Sequence, residues 1–234
     1  MKITWYGHST FRLDFDGTAV LFDPFFTGNP TWDGGWTEAA ERVSHILLTH
    51  GHDDHVGDTA AIAAETGATV VASYEIIQFL SGKGVANVEP GNHGGEIDCG
   101  SFTVAFVNAW HSSATVTPDG IVYLGNPVGF VVTPKSGGPV LYNAGDTGVF
   151  GDMALIQELY APQVGLIPIG DRFTMGPKQA AFACKRFFDF STIVPCHYGT
   201  FGLLTGTVDE FKDALGDGAS KVIVPERGVG ETVK

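Results

Sequence analysis

The chain is poor in cysteine, in positive charge and in long apolar runs. Its three cysteines, Cys99, Cys184 and Cys196, are widely spaced and form no Cys-x-x-Cys pair. That pattern suits reduced thiols in cytosol better than a disulfide framework. Thirteen Lys and Arg stand against 26 Asp and Glu, giving a net charge of −13. The basic patches that a nucleic-acid backbone demands are therefore missing. Acidity of this kind also accompanies simple solubility, so it does not point to a substrate. No stretch approaches the roughly 18 uninterrupted apolar residues of a membrane helix. Residues 1–8 lack the apolar core of a signal peptide. No Ser-His-Asp or Cys-His arrangement offers a side-chain nucleophile. The expectation is a cytoplasmic protein with no membrane and no nucleic-acid partner.

What the chain does have is apolar mass and one dense polar cluster. With 234 residues, of which 44% are hydrophobic and 12% aromatic, it can bury a sizeable core as one domain over residues 1–234. The 32 glycines indicate many tight turns and short strands. The cluster is Thr49-His50-Gly51-His52-Asp53-Asp54-His55-Val56-Gly57-Asp58. It follows the strand-like run Ile46-Leu47-Leu48 and precedes a helix expected over residues 58–66. A strand-to-helix turn at the end of a buried strand is where α/β folds bind ligands. His50 and His52 are two apart and project to one side of an extended chain. Asp54 and His55 follow at the turn and can face a second point nearby. Imidazole with carboxylate suits zinc and related transition ions.

Other strands are expected at 2–6, 10–15, 18–22, 68–72, 101–107, 128–133, 139–143, 164–169 and 221–225, with a last buried one ending at His197. Asp16-Gly17 reads as a hairpin turn. Helices are expected at 73–80, 152–160, 178–188 and 207–215. Alternating strands and helices after the cluster suggest a partly parallel sheet. Three further polar residues fall at strand ends: His111 in Trp110-His111-Ser112, Asp146 in Gly145-Asp146-Thr147, and His197 in Cys196-His197-Tyr198. Each by itself reads as an ordinary turn residue. Asp23 ends a strand and could hydrogen-bond a ligand histidine. His45 and His93 read as structural, Cys196 as core, and Phe173 and Met175 as packing residues.

The His-x-His-x-Asp-His pattern resembles the metallo-β-lactamase superfamily. Gly7-His8-Ser9 and Asp23-Pro24-Phe25-Phe26-Thr27-Gly28-Asn29-Pro30 are similar to its branch of uncharacterised metal-dependent hydrolases that includes ascorbate-6-phosphate lactonase. The resemblance spans essentially the whole chain and implies a four-layer αββα sandwich of two mixed β-sheets. It also implies two divalent transition-metal ions, most simply zinc, with manganese, nickel or iron as alternatives. His50, His52 and His111 would hold one ion, Asp54, His55 and His197 the other, and Asp146 would lie between. The implied chemistry is attack by a binuclear-metal-activated hydroxide on a small ester or lactone, with a phosphodiester as the alternative. A non-hydrolytic metalloprotein is a third class. Asp54 would orient the nucleophile, while His8 would position substrate or donate a proton. Arg172 and Tyr198 are candidate substrate contacts. A homo-oligomer fits but is not required.

Overall fold

The computed structural model describes residues 1–233. One sheet contains β1 (Lys2–Trp5), β2 (Phe11–Phe15), β3 (Thr18–Phe22), β4 (His45–Leu47), β5 (Thr69–Ser73) and β6 (Val88–Gly91) in chain order. The second is built from β7 (Glu96–Asp98), β8 (Phe102–Asn108), β11 (Val128–Pro134), β12 (Leu141–Asn143), β13 (Val164–Pro168) and β14 (Thr192–Cys196). A separate hairpin joins β9 (Ala114–Thr117) to β10 (Gly120–Tyr123), and β15 (Gly230–Thr232) closes the first sheet beside β1. Both sheets are mixed. Strands β3 to β6 run parallel, as do β12 to β14, and the remaining pairs are antiparallel.

Period-two alternation explains how the sheets stack. In β8, Phe102, Val104 and Phe106 face the other sheet, while Ala105 and Val107 face outward. In β11, Val128, Phe130 and Val132 do the same. They meet Phe11, Leu13, Val20, Phe22 and Val71 from the first sheet in one shared core. Each sheet's outer face is then covered by helices. Helices α2 (Thr59–Thr66) and α3 (Tyr74–Ser81) bury Ile62, Ile76, Ile77 and Leu80 against Ile46, Val70 and Ala72. On the other side α4 (Met153–Tyr160), α5 (Pro177–Phe187) and α6 (Val208–Leu215) cover Val131, Tyr142 and Ile167. The architecture is the expected αββα sandwich.

Local chemistry supports these elements. The turn between β2 and β3 holds Asp16 and Gly17 at positive φ, as a two-residue hairpin requires. Thr207 and Glu210 form a reciprocal capping box at the start of α6, and Pro177 opens α5. Residues 221–225 depart from expectation. Residues 216–221 form a 3-10 turn, and only a single bridge, Val222 to Ile193, follows. Pro225 lacks the N–H needed to continue a ladder, so Val-Ile-Val cannot extend the sheet there. The three cysteines are free thiols, with Cys196 in the inter-sheet core as expected. Among the described residues no helix is long and apolar enough to cross a membrane.

Candidate metal centre

Strand ends converge at one edge of the sandwich. His8, Asp23, His50, His111, Asp146 and His197 all lie within three residues of a strand's last residue. The remaining cluster residues follow directly, His52 in extended backbone and Asp54 and His55 on the short helix α1 (Asp53–Val56). The loops are tied to one another: Thr49 O accepts from Val128 N at 2.9 Å, and Trp110 N donates to Thr147 Oγ1 at 2.9 Å. His197 N donates to His8 O at 3.0 Å. A Cβ on Gly170 would stand 1.9 Å from the carbonyl oxygen of His197, so this close approach requires glycine. His8, Asp23 and His197 all adopt positive φ, a strained backbone state maintained by the surrounding packing.

The sequence-expected ligands come together as two adjoining groups. His50 Nε2 and His52 Nδ1 are 2.9 Å apart, and the rings of both meet that of His111 edge-on at 5.0 Å. Asp54, His55, His197 and His8 form the second group, with ligand atoms that all lie within 4.8 Å of one another. Asp146 stands between the groups. Its Oδ2 is 2.8 Å from His197 Nε2 and 3.6 Å from His111 Nε2, while Oδ1 is 3.5 Å from His55 Nε2. His55 Nε2 and Asp146 Oδ1 are buried with no hydrogen-bond partner. Orphaned donors and acceptors are costly in a protein interior, and here they face each other among further ligand atoms. Leaving His8 aside, which the sequence did not mark as a ligand, the expected donor set of five histidines and two carboxylates fits a borderline transition ion.

A buried relay fixes two of these imidazoles. Asp23, fully buried, accepts from Thr49 N at 2.8 Å on Oδ1. Its Oδ2 accepts from Thr49 Oγ1 at 2.7 Å and from His55 Nδ1 at 2.9 Å. Thr49 Oγ1 in turn accepts from His50 Nδ1 at 3.0 Å. One carboxylate therefore holds a histidine of each group with its Nε2 turned toward Asp146. Asp23 thus hydrogen-bonds a candidate ligand histidine, the contact the sequence suggested.

His8 has a similar supporting place. It is fully buried and does not line the cavity, so the proton-donor and substrate-positioning roles considered for it do not fit. Its Nε2 is 3.0 Å from Asp54 Oδ2 and its Nδ1 is 2.9 Å from Thr200 Oγ1. Burial pushes its pKa down to about 4 against the pull of Asp54. A neutral ring with hydrogen on Nε2 donates to Asp54 and accepts from Thr200. Burial opposes charge on Asp54, but the His8 hydrogen bond and nearby His55 outweigh it and hold the carboxyl below its ordinary range.

Burial also lowers His50, His52 and His111, keeping them neutral and available as ligands. His55 is the exception. Burial works against its charge, yet Asp146 and Asp23 together raise it well above its ordinary value.

Asp54, Asp146, His52, His111 and His197 line a cavity of about 580 Å³ together with Ser112, Phe173, Phe201 and Leu203. Arg172 and Tyr198 are not among its walls. Arg172 is exposed at positive φ, and Tyr198 stacks on Trp5 at 5.6 Å, its hydroxyl pushed up to about 12 by burial. Met175 packs as expected, but Phe173 is 52% exposed on the cavity rim. Phe201 and Leu203 also line the cavity, although neither carries ligand chemistry that marks it in the sequence. The available signal was Gly199-Thr200-Phe201-Gly202-Leu203, large apolar residues set among glycines directly after His197. His45 and His93 lie outside the centre, bonded to Ser44 and to Pro127 O.

The fold and this arrangement define a metallo-β-lactamase-type centre. The family described as beta-lactamase superfamily domain matches residues 2–197, and the chain belongs to it. A UPF0173 metal-dependent hydrolase of Methylocella silvestris is 55% identical over 228 residues, covering 97% of this chain and 98% of the relative. The metallo hydrolase Igni18 of the archaeon Ignicoccus hospitalis superposes with a TM-score of 0.87 at 34% identity, covering 100% of this chain and 99% of that one. An isothiocyanate hydrolase from Delia radicum gut bacteria shares the fold, with a TM-score of 0.77 at 20% identity over 100% of this chain and 99% of its own.

Two outcomes follow from the relay and from His55. Asp23→Asn is expected to weaken zinc binding about 10- to 100-fold, read by competition with a chromophoric chelator. Unchanged affinity would remove Asp23 from the support of the site. In metal-free protein at pH 7, the raised pKa leaves His55 protonated, and an ion taking Nε2 must displace that proton. Zinc uptake should therefore release at least about one proton, and affinity should rise with pH until His55 is neutral beforehand. Calorimetry in buffers of different ionisation enthalpy measures the release; none at pH 7 would contradict the assignment.

Proposed function

We propose that the chain is a metal-dependent hydrolase working with two divalent ions, zinc in the first instance, on a small ester or lactone. The observation that carries this reading is Asp146, whose two oxygens face histidines of both ligand groups at 2.8–3.6 Å. A carboxylate with that reach suits a shared ligand, since paired ions in hydrolases sit roughly 3.5–4 Å apart. The name of the Methylocella silvestris relative, metal-dependent hydrolase, supports the metal dependence and hydrolysis in this reading, and not the bond cleaved or the number of ions.

Under this reading His50, His52 and His111 would hold one ion, and Asp54, His55 and His197 would hold the other. When bound, the ions supply Lewis acidity, which makes water a nucleophile near neutral pH and offsets charge developing on the substrate oxygen. The protein's part is orientation. Asp54 is the ligand carboxylate with the greater exposure, and it borders the cavity. It accepts a hydrogen of the attacking water while His8, fixed by Thr200, keeps its carboxylate from rotating. His8 is a positioning residue here. Manganese, nickel or iron would suit the same donors, and availability decides among them.

The test is turnover of p-nitrophenyl acetate, a neutral lactone and bis-p-nitrophenyl phosphate before and after chelation. Ester or lactone hydrolysis should fall at least about 100-fold on metal removal and return with zinc or manganese. Asp54→Asn, reloaded with metal, should lose about 100-fold or more in kcat. Activity indifferent to metal would contradict the proposal, and faster turnover of the phosphodiester would replace its substrate class.

A further inference from the structure

The cavity over the ligands has a polar floor and an apolar mouth. Phe173 and Leu203 are 52% and 53% exposed and Phe201 39%, and all three line the opening. They arrive from two separate loops, one after β13 and one after β14. Large apolar side chains left in water on converging loops gain when an apolar group covers them. Among the described residues no Lys or Arg lines the cavity, and the chain as a whole carries −13. A substrate anion held at the mouth, away from the reacting carbonyl, would lose its water against phenyl and isobutyl groups with no Lys or Arg among the walls to meet it. Phe201 is the fixed wall, its ring centroid 5.4 Å from that of His8 and 6.4 Å from that of Phe25.

We infer that the substrate is an uncharged ester or lactone carrying an apolar chain, seated across Phe173, Phe201 and Leu203, and that a chain ending in an anion is disfavoured at that mouth. This rests on the hydrolase reading above and narrows it. Phe173 and Leu203 determine how long a chain is favoured.

The experiment measures kcat/KM of metal-loaded protein on p-nitrophenyl esters from acetate to octanoate, and on the anionic mono-p-nitrophenyl glutarate. In parallel, calorimetry follows binding of hydrolysis-inert N-alkyl acetamides of rising length, a readout independent of turnover. Both series should rise about two- to fourfold per added methylene over the shorter chains. Phe173→Ala and Leu203→Ala should lower the octanoate value about tenfold more than the acetate value. Leu159→Ala, exposed on α4, should alter neither. Glutarate should run at least about tenfold below the neutral ester of matched length. A flat response in both series would overturn the inference, as would preference for glutarate that disappears in Arg172→Ala. No turnover of any ester alongside a rising amide series would overturn the hydrolase reading while supporting the apolar site.

Discussion

Imidazole nitrogens 2.9 Å apart and a buried carboxylate facing three more histidines concentrate lone pairs that only cations or protons can offset. This electrostatic demand governs the rest of the centre. Protons meet it in part, as the opposed shifts of His55 and Asp146 indicate. They leave His55 Nε2 and Asp146 Oδ1 without hydrogen bonds in a buried site. Divalent ions would meet it with one charge source shared among several ligands, which is why the donor types and their facing directions belong together.

The sandwich delivers these groups by a simple rule: apolar strands run inward and release polar residues at their ends. Both sheets do this at the same edge, and the loops are joined through Thr49–Val128, Trp110–Thr147 and His8–His197. Left-handed backbone at His8, Asp23 and His197 is the cost of turning each chain sharply there. The shared Asp23 and the His8–Thr200 pair keep side chains in single orientations that a loose loop would not hold.

Much of this was legible in the sequence. Near-continuous apolar runs such as Phe102–Val107 and Val128–Thr133 announce strands because both faces are buried. The spacing within His50–His55 announces a polar turn able to hold a metal, and the resemblance points to the distant side chains that the fold brings beside it. Strands β6, β7, β9, β10 and β15 were not legible, since they are short and mostly exposed and carry no burial pattern. Residues 221–225 carry β propensity that their surroundings do not use. The burial of His8 and the rim position of Phe173 depend on how distant loops pack, which local sequence does not encode. Arg172 looked like an anion contact by charge alone, yet its neighbour faces the cavity instead.

Metal content per chain, on protein purified without added metal, tests the central claim most directly when wild type and Asp146→Ala are compared. A shared Asp146 predicts about two transition ions per wild-type chain and about one or fewer in the variant. One tightly held ion in the wild type, unchanged by removing Asp146, would contradict a shared carboxylate and leave a mononuclear site built from one ligand group.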